Sequence, residues 1–325
     1  MAPWLTNLRH HDERSSKVTG SNEVPSCYTT GTKMQVLLVV KKTHEPVHDR
    51  ALERIMGVLE RRAGQVQVEV RPRELVRRSD FLGRDLVIVL GGDGTLTSIS
   101  HNVDEHTLVM GVNSHPREED PEGSVGFYMD SDPATFAEDF TAVLEGQAIV
   151  NVLPRLQATI ETTSGNRFTT DPALNDLLVA NTHQYAPSRY LLRRGDRSGM
   201  QTSSGLLFAT WYGQHAWLTH AAPLDELGIS RERATQDQRA DHCFVLARDL
   251  PMDQRRAMPW AHMAWTKEAT VLVSDMHRGY VVPDGWDEVH FNRGATITVD
   301  ANGPVLRLLT FRTSMDDRVD ALTQA

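Results

Sequence analysis

The sequence predicts an α/β N-terminal domain with a mostly parallel, doubly wound sheet, followed by a mainly β C-terminal domain. Three observations carry this expectation. From Met34 onward, short β-rich apolar runs alternate with a helical pattern; one of those runs ends in a glycine turn; and after about residue 150 short strands follow one another with few helical patterns between them.

The elements are taken in chain order. Residues 36–40 form an apolar run of strand length, Ala51, Leu52, Ile55, Met56 and Leu59 recur at helical spacing, and Val66, Val68 and Val70 alternate as in a strand. Residues 85–90 make a buried-looking strand that ends at the glycines, and residues 108–112 make another in the same style. Further on, residues 156–162, 174–179, 206–210, 270–273 and 295–299 are short strands separated by turn residues, and residues 316–323 form a closing helix. The division this gives is a disordered tail over 1–33, an α/β domain over 34–150 and a β domain over 151–325. The tail is polar and lacks the apolar stretch of a secretory signal; its Asp12, Glu13 and Glu23 fit poorly with a transit peptide.

With 40% apolar and 24% charged residues among 325, the chain has the composition of a globular protein with room for a sizeable core. No apolar run approaches the roughly 20 residues that a membrane helix needs. A formal charge of -9 argues against a nucleic acid partner, since phosphate backbones call for clustered Lys and Arg. The local cluster Arg189, Arg193, Arg194 and Arg197 reads either as a solvated loop or as a basic wall beside an anion. Cys27 and Cys243 are too few for a disulfide framework and have no zinc spacing, which points to a reducing compartment: the cytoplasm, with the mitochondrial matrix as alternative.

The chemistry concentrates at Gly91, Gly92, Asp93, Gly94 and Thr95, between an apolar strand and the start of a helix. Glycines let backbone N–H groups approach phosphate oxygens, and a helix N-terminus favours anions. Asp93 can hold a magnesium ion or take a proton from an attacking hydroxyl. The turn is neither a Walker A loop nor a Gly-x-Gly-x-x-Gly fingerprint. His44-Glu45-Pro46-Val47-His48 matches the zinc pattern H-E-x-x-H, but Pro46 belongs at a helix start, which leaves His44 outside the helix and the motif unusable as such.

A strand ending in Gly91-Gly92-Asp93-Gly94-Thr95, then one ending in Gly111-Val112-Asn113, then Gly123-Ser124-Val125-Gly126-Phe127-Tyr128, resembles the NAD kinase family. Asp171-Pro172-Ala173-Leu174-Asn175-Asp176 is similar to that family's A-L-N-E nucleotide-binding motif. Residues 203–210 with Trp211-Tyr212-Gly213-Gln214-His215-Ala216-Trp217 resemble the strand before its T-G-S-x-A-Y/W turn. Residues 274–275 and 281–285 fall where its β domain usually ends. The likeness covers roughly residues 34–310 and is strongest to the divergent mitochondrial-type members.

The resemblance implies ATP-dependent phosphorylation of the 2'-hydroxyl of NAD, with Mg2+ as cofactor, in a homodimer or higher homo-oligomer. It implies phosphate cradling by Gly91, Gly92, Gly94 and Thr95, catalysis and metal binding by Asp93, and ribose binding by Asn175 and Asp176. Asn113, Thr210, Gly213, His215, Ala216 and Trp217 complete the implied nucleotide-binding set. Asp176 stands where the family has Glu, and Tyr212, Gln214 and His215 replace small hydroxyl or basic residues, so the acceptor's pose is open. The glycine turn also occurs in lipid kinases, and the rewritten 212–215 turn admits a nucleotide sensor that has lost catalysis. An acidic insertion over 114–122 reads as a surface loop in preference to a lid, and Trp211, Tyr212 and Trp217 read equally as ring-stacking groups or as core.

Overall fold

The computed structural model describes residues 33–322, apart from 42–44, 118–119 and 223–233. The expected tail, except Lys33, lies outside the described residues, as do Cys27, His44 and residue 323.

The N-terminal half is built as its apolar pattern requires. Strands β1 (Met34–Val40), β2 (Val66–Pro72), β3 (Leu86–Gly91) and β4 (Leu108–Asn113) pair in parallel in the order β2-β1-β3-β4. Every residue of β3 and β4 is buried, as expected of parallel strands covered on both faces. Helix α1 (Pro46–Arg61) buries His48, Ala51, Ile55 and Leu59 as one stripe, and Pro46 sits in its first turn, where the missing N–H costs nothing. Helix α2 (Asp93–Ser100) starts within the glycine turn itself. A third helix, α3 (Phe136–Leu144), was not anticipated; it buries Phe136, Asp139, Phe140 and Val143, with the two phenylalanine rings 5.5 Å apart.

In the second half the strands are β5 (Ile149–Glu161), β6 (Arg167–Thr169), β7 (Asp176–Asn181), β8 (Ser188–Arg194), β9 (Arg197–Ser203) and β10 (Leu206–Ala209). They continue as β11 (Cys243–Ala247), β12 (Met263–Thr266), β13 (Thr270–Ser274), β14 (Gly279–Pro283), β15 (Val289–Phe291) and β16 (Thr296–Thr310). Three bounds differ most from the sequence reading: β5 begins at Ile149 instead of 156, because residues 149–153 pair with the far end of β16. Leu174 and Asn175 form a turn ahead of β7 because the Asp284 carboxylate captures their N–H groups, and β16 runs on to Thr310 because it crosses from one half to the other.

β16 lies parallel to β4 at one end and antiparallel to β13 at the other, so the first sheet continues as β2-β1-β3-β4-β16-β13-β8-β9 with β5 and β6 attached. An antiparallel sheet of order β12-β11-β10-β7-β14-β15 packs on it. Tyr190, Leu272 and Ile297 of the first sheet meet Leu177, Phe208 and Val281 of the second in one core. Another core joins Val89, Leu96 and Tyr128 to Leu174, Trp211 and Leu306, directly beneath the glycine turn. Of the arginine cluster, Arg194 is buried and donates to the Thr270 hydroxyl and the Trp260 carbonyl, while Arg189 pairs with Asp275. The closing helix, Met315–Leu322, forms as expected, with Met315 and Val319 buried.

Candidate functional site

The glycine turn is shaped by close contacts. A Cβ on Gly91 would lie 2.4 Å from the Thr95 Oγ1, and one on Gly92 would lie 2.7 Å from the Ser124 Oγ, so both positions exclude a side chain. Gly94 is exposed and meets no such barrier. Thr95 and Leu96 both direct their N–H groups back to the Gly92 carbonyl. The Asp93 carboxylate is fixed by two backbone donors, Phe127 N–H at 2.9 Å and Tyr128 N–H at 2.8 Å.

A cavity of about 1050 Å³ opens beside the turn. Gly91, Gly92, Asp93, Gly94, Thr95 and Asn113 line one side, and Lys41, His48, Arg50, Arg73 and His115 line another. The 114–122 segment belongs to its wall through Ser114, His115, Asp120 and Glu122, so it is more than a loop facing solvent. Asn113 pins that segment, accepting from the His115 N–H and donating to the Ser124 carbonyl. His48 is held on both sides, by the Ser114 hydroxyl at 2.6 Å and by Glu45 at 3.1 Å.

Asn175, Asp176, Thr210 and Gly213 gather in a second cluster, outside the lining of that cavity, with His215 beside them. The Tyr128 hydroxyl donates to the Asn175 Oδ1 at 2.6 Å, so Tyr128 touches both the Asp93 carboxylate, through its backbone, and Asn175, through its side chain. Burial and three nearby carboxylates, those of Asp284, Asp93 and Asp176, push its phenol well up and keep it a donor. Thr210 ties two turns together: its hydroxyl donates to the Leu174 carbonyl at 2.7 Å and accepts the Gly213 N–H at 2.8 Å. Gly213 packs so tightly that a Cβ would lie 2.0 Å from the Asn175 carbonyl.

His215 stacks on Phe127 with ring centroids 3.7 Å apart, and its Nδ1 meets the Tyr212 carbonyl at 2.5 Å. Burial lowers its pKa against the opposing pull of that carbonyl and of Asp93. Ala216 separates the 3-10 turn Tyr212–His215 from a short helix, Trp217–Ala221. Trp217 is exposed, with Arg248 over its ring, whereas Trp211 is wholly core and the Tyr212 hydroxyl bonds Asp316.

Two acids define the electrostatics here. Burial, followed by the repulsion of Asp284, raises the Asp176 carboxyl to about 7, partly opposed by the Trp217 N–H. Burial raises Asp284 to about 6, opposed by the N–H groups of Leu174, Asp176 and Asn175. Three donors favour charge on Asp284, so Asp176 is the member that holds the proton. In the sequence reading Asp284, Tyr128 and Phe127 have no role of their own, and His48 enters only within the declined zinc pattern. Asp284 sits at φ +47° between strands that meet only in the folded chain, and a lone Asp before Gly is an ordinary turn signal.

A helix that begins on a glycine turn at the carboxyl end of a parallel sheet, facing a polar cavity, is the arrangement of an anion-binding α/β fold. The model of the ATP-NAD kinase N-terminal domain matches residues 32–148. A probable NADH kinase of Oryza sativa subsp. japonica is 33% identical over 244 residues, which cover 69% of this chain and 70% of that protein. An NAD kinase of Halorhodospira halophila is 26% identical over 196 residues, 55% of this chain and 60% of its own. Among solved structures, yeast NADH kinase complexed with NADH superposes with a TM-score of 0.68 at 15% identity, covering 90% of this chain and 88% of that one. An Archaeoglobus fulgidus NAD kinase in complex with ATP gives 0.63 at 17% identity, covering 90% and 98%. The chain belongs to the NAD kinase family.

Proposed function

We propose that the protein transfers the terminal phosphoryl group of ATP to the 2'-hydroxyl of the adenosine ribose of NAD, giving NADP and ADP. The observation that carries this reading is the link from the Asp93 carboxylate through Tyr128 to Asn175, which couples the phosphate turn to the implied ribose turn. In such a transfer the protein chiefly positions two anionic partners and stabilises charge. The glycine turn and the N-terminus of α2 receive the donor phosphates, aided by Lys41, Arg50 and Arg73. Asn175 and Asp176 hold the ribose hydroxyls, and a protonated Asp176 can donate as well as accept. The 2'-oxygen attacks the terminal phosphorus, the bond to the bridging oxygen breaks, ADP departs, and the hydroxyl proton passes to Asp93.

Asp93 also fits Mg2+, because it lines the cavity and each carboxylate oxygen, accepting one backbone N–H, keeps a lone pair. Bound there, Mg2+ would neutralise charge on the phosphates. The relatives' names divide between NAD and NADH kinases, so the acceptor's redox state is part of the same question. A homo-oligomer in a reducing compartment, cytoplasm in preference to mitochondrial matrix, completes the proposal; among the described residues no helix is long and apolar enough to cross a membrane.

Calorimetric titration of NAD, NADH and ATP into wild type and Asp176→Ala tests it. The expected result is binding of ATP and of one or both dinucleotides to wild type, with dinucleotide affinity falling roughly ten- to a hundredfold in the variant as a buried polar partner is lost. Binding of ATP without either dinucleotide would move the assignment to another hydroxylated acceptor.

A further inference from the structure

Opposite the glycine turn, Glu45, His48 and His115 bring one carboxylate and two imidazoles together, with a ligand-capable atom from each within 4.8 Å of the others. Two separate segments supply them. Glu45 caps α1 and His48 follows one turn later, so the i, i+3 spacing points both to the same side, while His115 comes from the segment after β4. The two histidine rings meet edge to face with centroids 5.9 Å apart. The Ser114 hydroxyl on the His48 Nδ1 fixes the ring and leaves Nε2 turned toward Glu45. A hydrogen-bonded second ring nitrogen is what orients histidine ligands in metal sites. Asp120, 3.0 Å from the His115 Nε2, adds a further carboxylate at the margin.

We infer that Glu45, His48 and His115 form a binding site for one divalent cation of the zinc class, separate from the hard-cation position at Asp93. The donor set decides the class. Mg2+ takes oxygen ligands in a near-octahedral shell, whereas two imidazoles with one carboxylate suit Zn2+ or Co2+ with water or an anionic ligand as fourth partner. Bonds of about 2.0–2.2 Å bring tetrahedral ligand atoms to roughly 3.3–3.6 Å from one another. Rotation of the exposed Glu45 side chain closes the remaining gap. This is not the H-E-x-x-H arrangement, because the ligands are Glu45 and His48 on one segment and His115 on another. The cation would sit in the wall of the 1050 Å³ cavity, where it would offset Glu45, Asp93, Asp120 and Glu122 and favour an anion.

The test needs no nucleotide, so its outcome is independent of the proposed kinase activity. Full-length protein, stripped with a chelator and held in excess Mg2+, is titrated with Co2+ while d–d absorption is followed, then back-titrated with Zn2+. The expected result is one equivalent of Co2+ with bands of four-coordinate intensity, displaced by Zn2+. His115→Ala and Glu45→Gln should each weaken binding by at least roughly tenfold, the minimum for disturbing a ligand shell. Far-ultraviolet dichroism checks that both variants fold, and neither removes the buried His48. His101→Ala should leave binding unchanged; it breaks the other grouping, His101 with Asp171 and Asp287. Absence of the bands in wild type, equal affinity in His115→Ala and Glu45→Gln, or loss of binding in His101→Ala would each overturn the proposal.

Discussion

Asp93 is held at both carboxylate oxygens by backbone N–H groups, and that sharpens what its replacement should do. Asparagine offers one acceptor, so the second amide would face an NH2 group. Asp93→Asn is expected to cost about 1–3 kcal/mol of stability and to lower kcat by about a hundredfold or more. Denaturant unfolding and turnover measured on the same sample check this; near-normal turnover would reduce Asp93 to a turn residue. Asp176 carries a pH signature. Its pKa rises from 3.8 to about 7 on folding, so the native state holds that proton more tightly. Its contribution to stability is therefore complete below 3.8 and is lost as pH climbs through about 7. Asp176→Asn should flatten this decline and be more stable than wild type at pH 8 by about 1–3 kcal/mol, while losing dinucleotide affinity. Melting curves from pH 5 to 8 that run parallel for the two proteins would contradict it.

Among the elements, the turn before β7 and the 3-10 turn Tyr212–His215 are one unit, because Gly213 leaves no room against Asn175. Gly213→Ala should displace Asn175 and raise KM for the dinucleotide with KM for ATP little changed; overpacking of this kind costs about 1–3 kcal/mol of stability. Steady-state kinetics with each substrate varied in turn would show it, and an equal rise in both KM values would place the damage elsewhere. The glycine turn was legible because its signal is local: an apolar strand, then glycines with an aspartate, then a helix. Pro46 was legible for the same reason, since its missing N–H assigns it to a helix start. Asp284 was not, because the N–H groups it captures lie 108 to 110 residues earlier in the chain. α3 was missed because it is only nine residues long, with an apolar face carried by two phenylalanines and a valine.

At the scale of the molecule, the two halves are joined by β16, by the core beneath the site and by Tyr128. A strand that pairs with β4 at one end and β13 at the other leaves no periodic trace, so the fold class was readable and this crossing was not. Tyr128→Phe removes the bond to Asn175 while keeping the ring in its core. It should raise KM for the dinucleotide roughly tenfold, about 1.4 kcal/mol, and leave the melting temperature within a few degrees. An unchanged KM would mean that Asn175 is held without Tyr128. The account as a whole rests on coupled phosphoryl transfer between the two turns. Purified protein incubated with ATP, Mg2+ and either NAD or NADH, with product read by an NADP-specific dehydrogenase cycle, tests it most directly. The account predicts ATP-dependent formation of NADP or NADPH in wild type and its near-complete loss in Asp93→Asn. No product from either dinucleotide, in a folded protein that binds ATP, would contradict it.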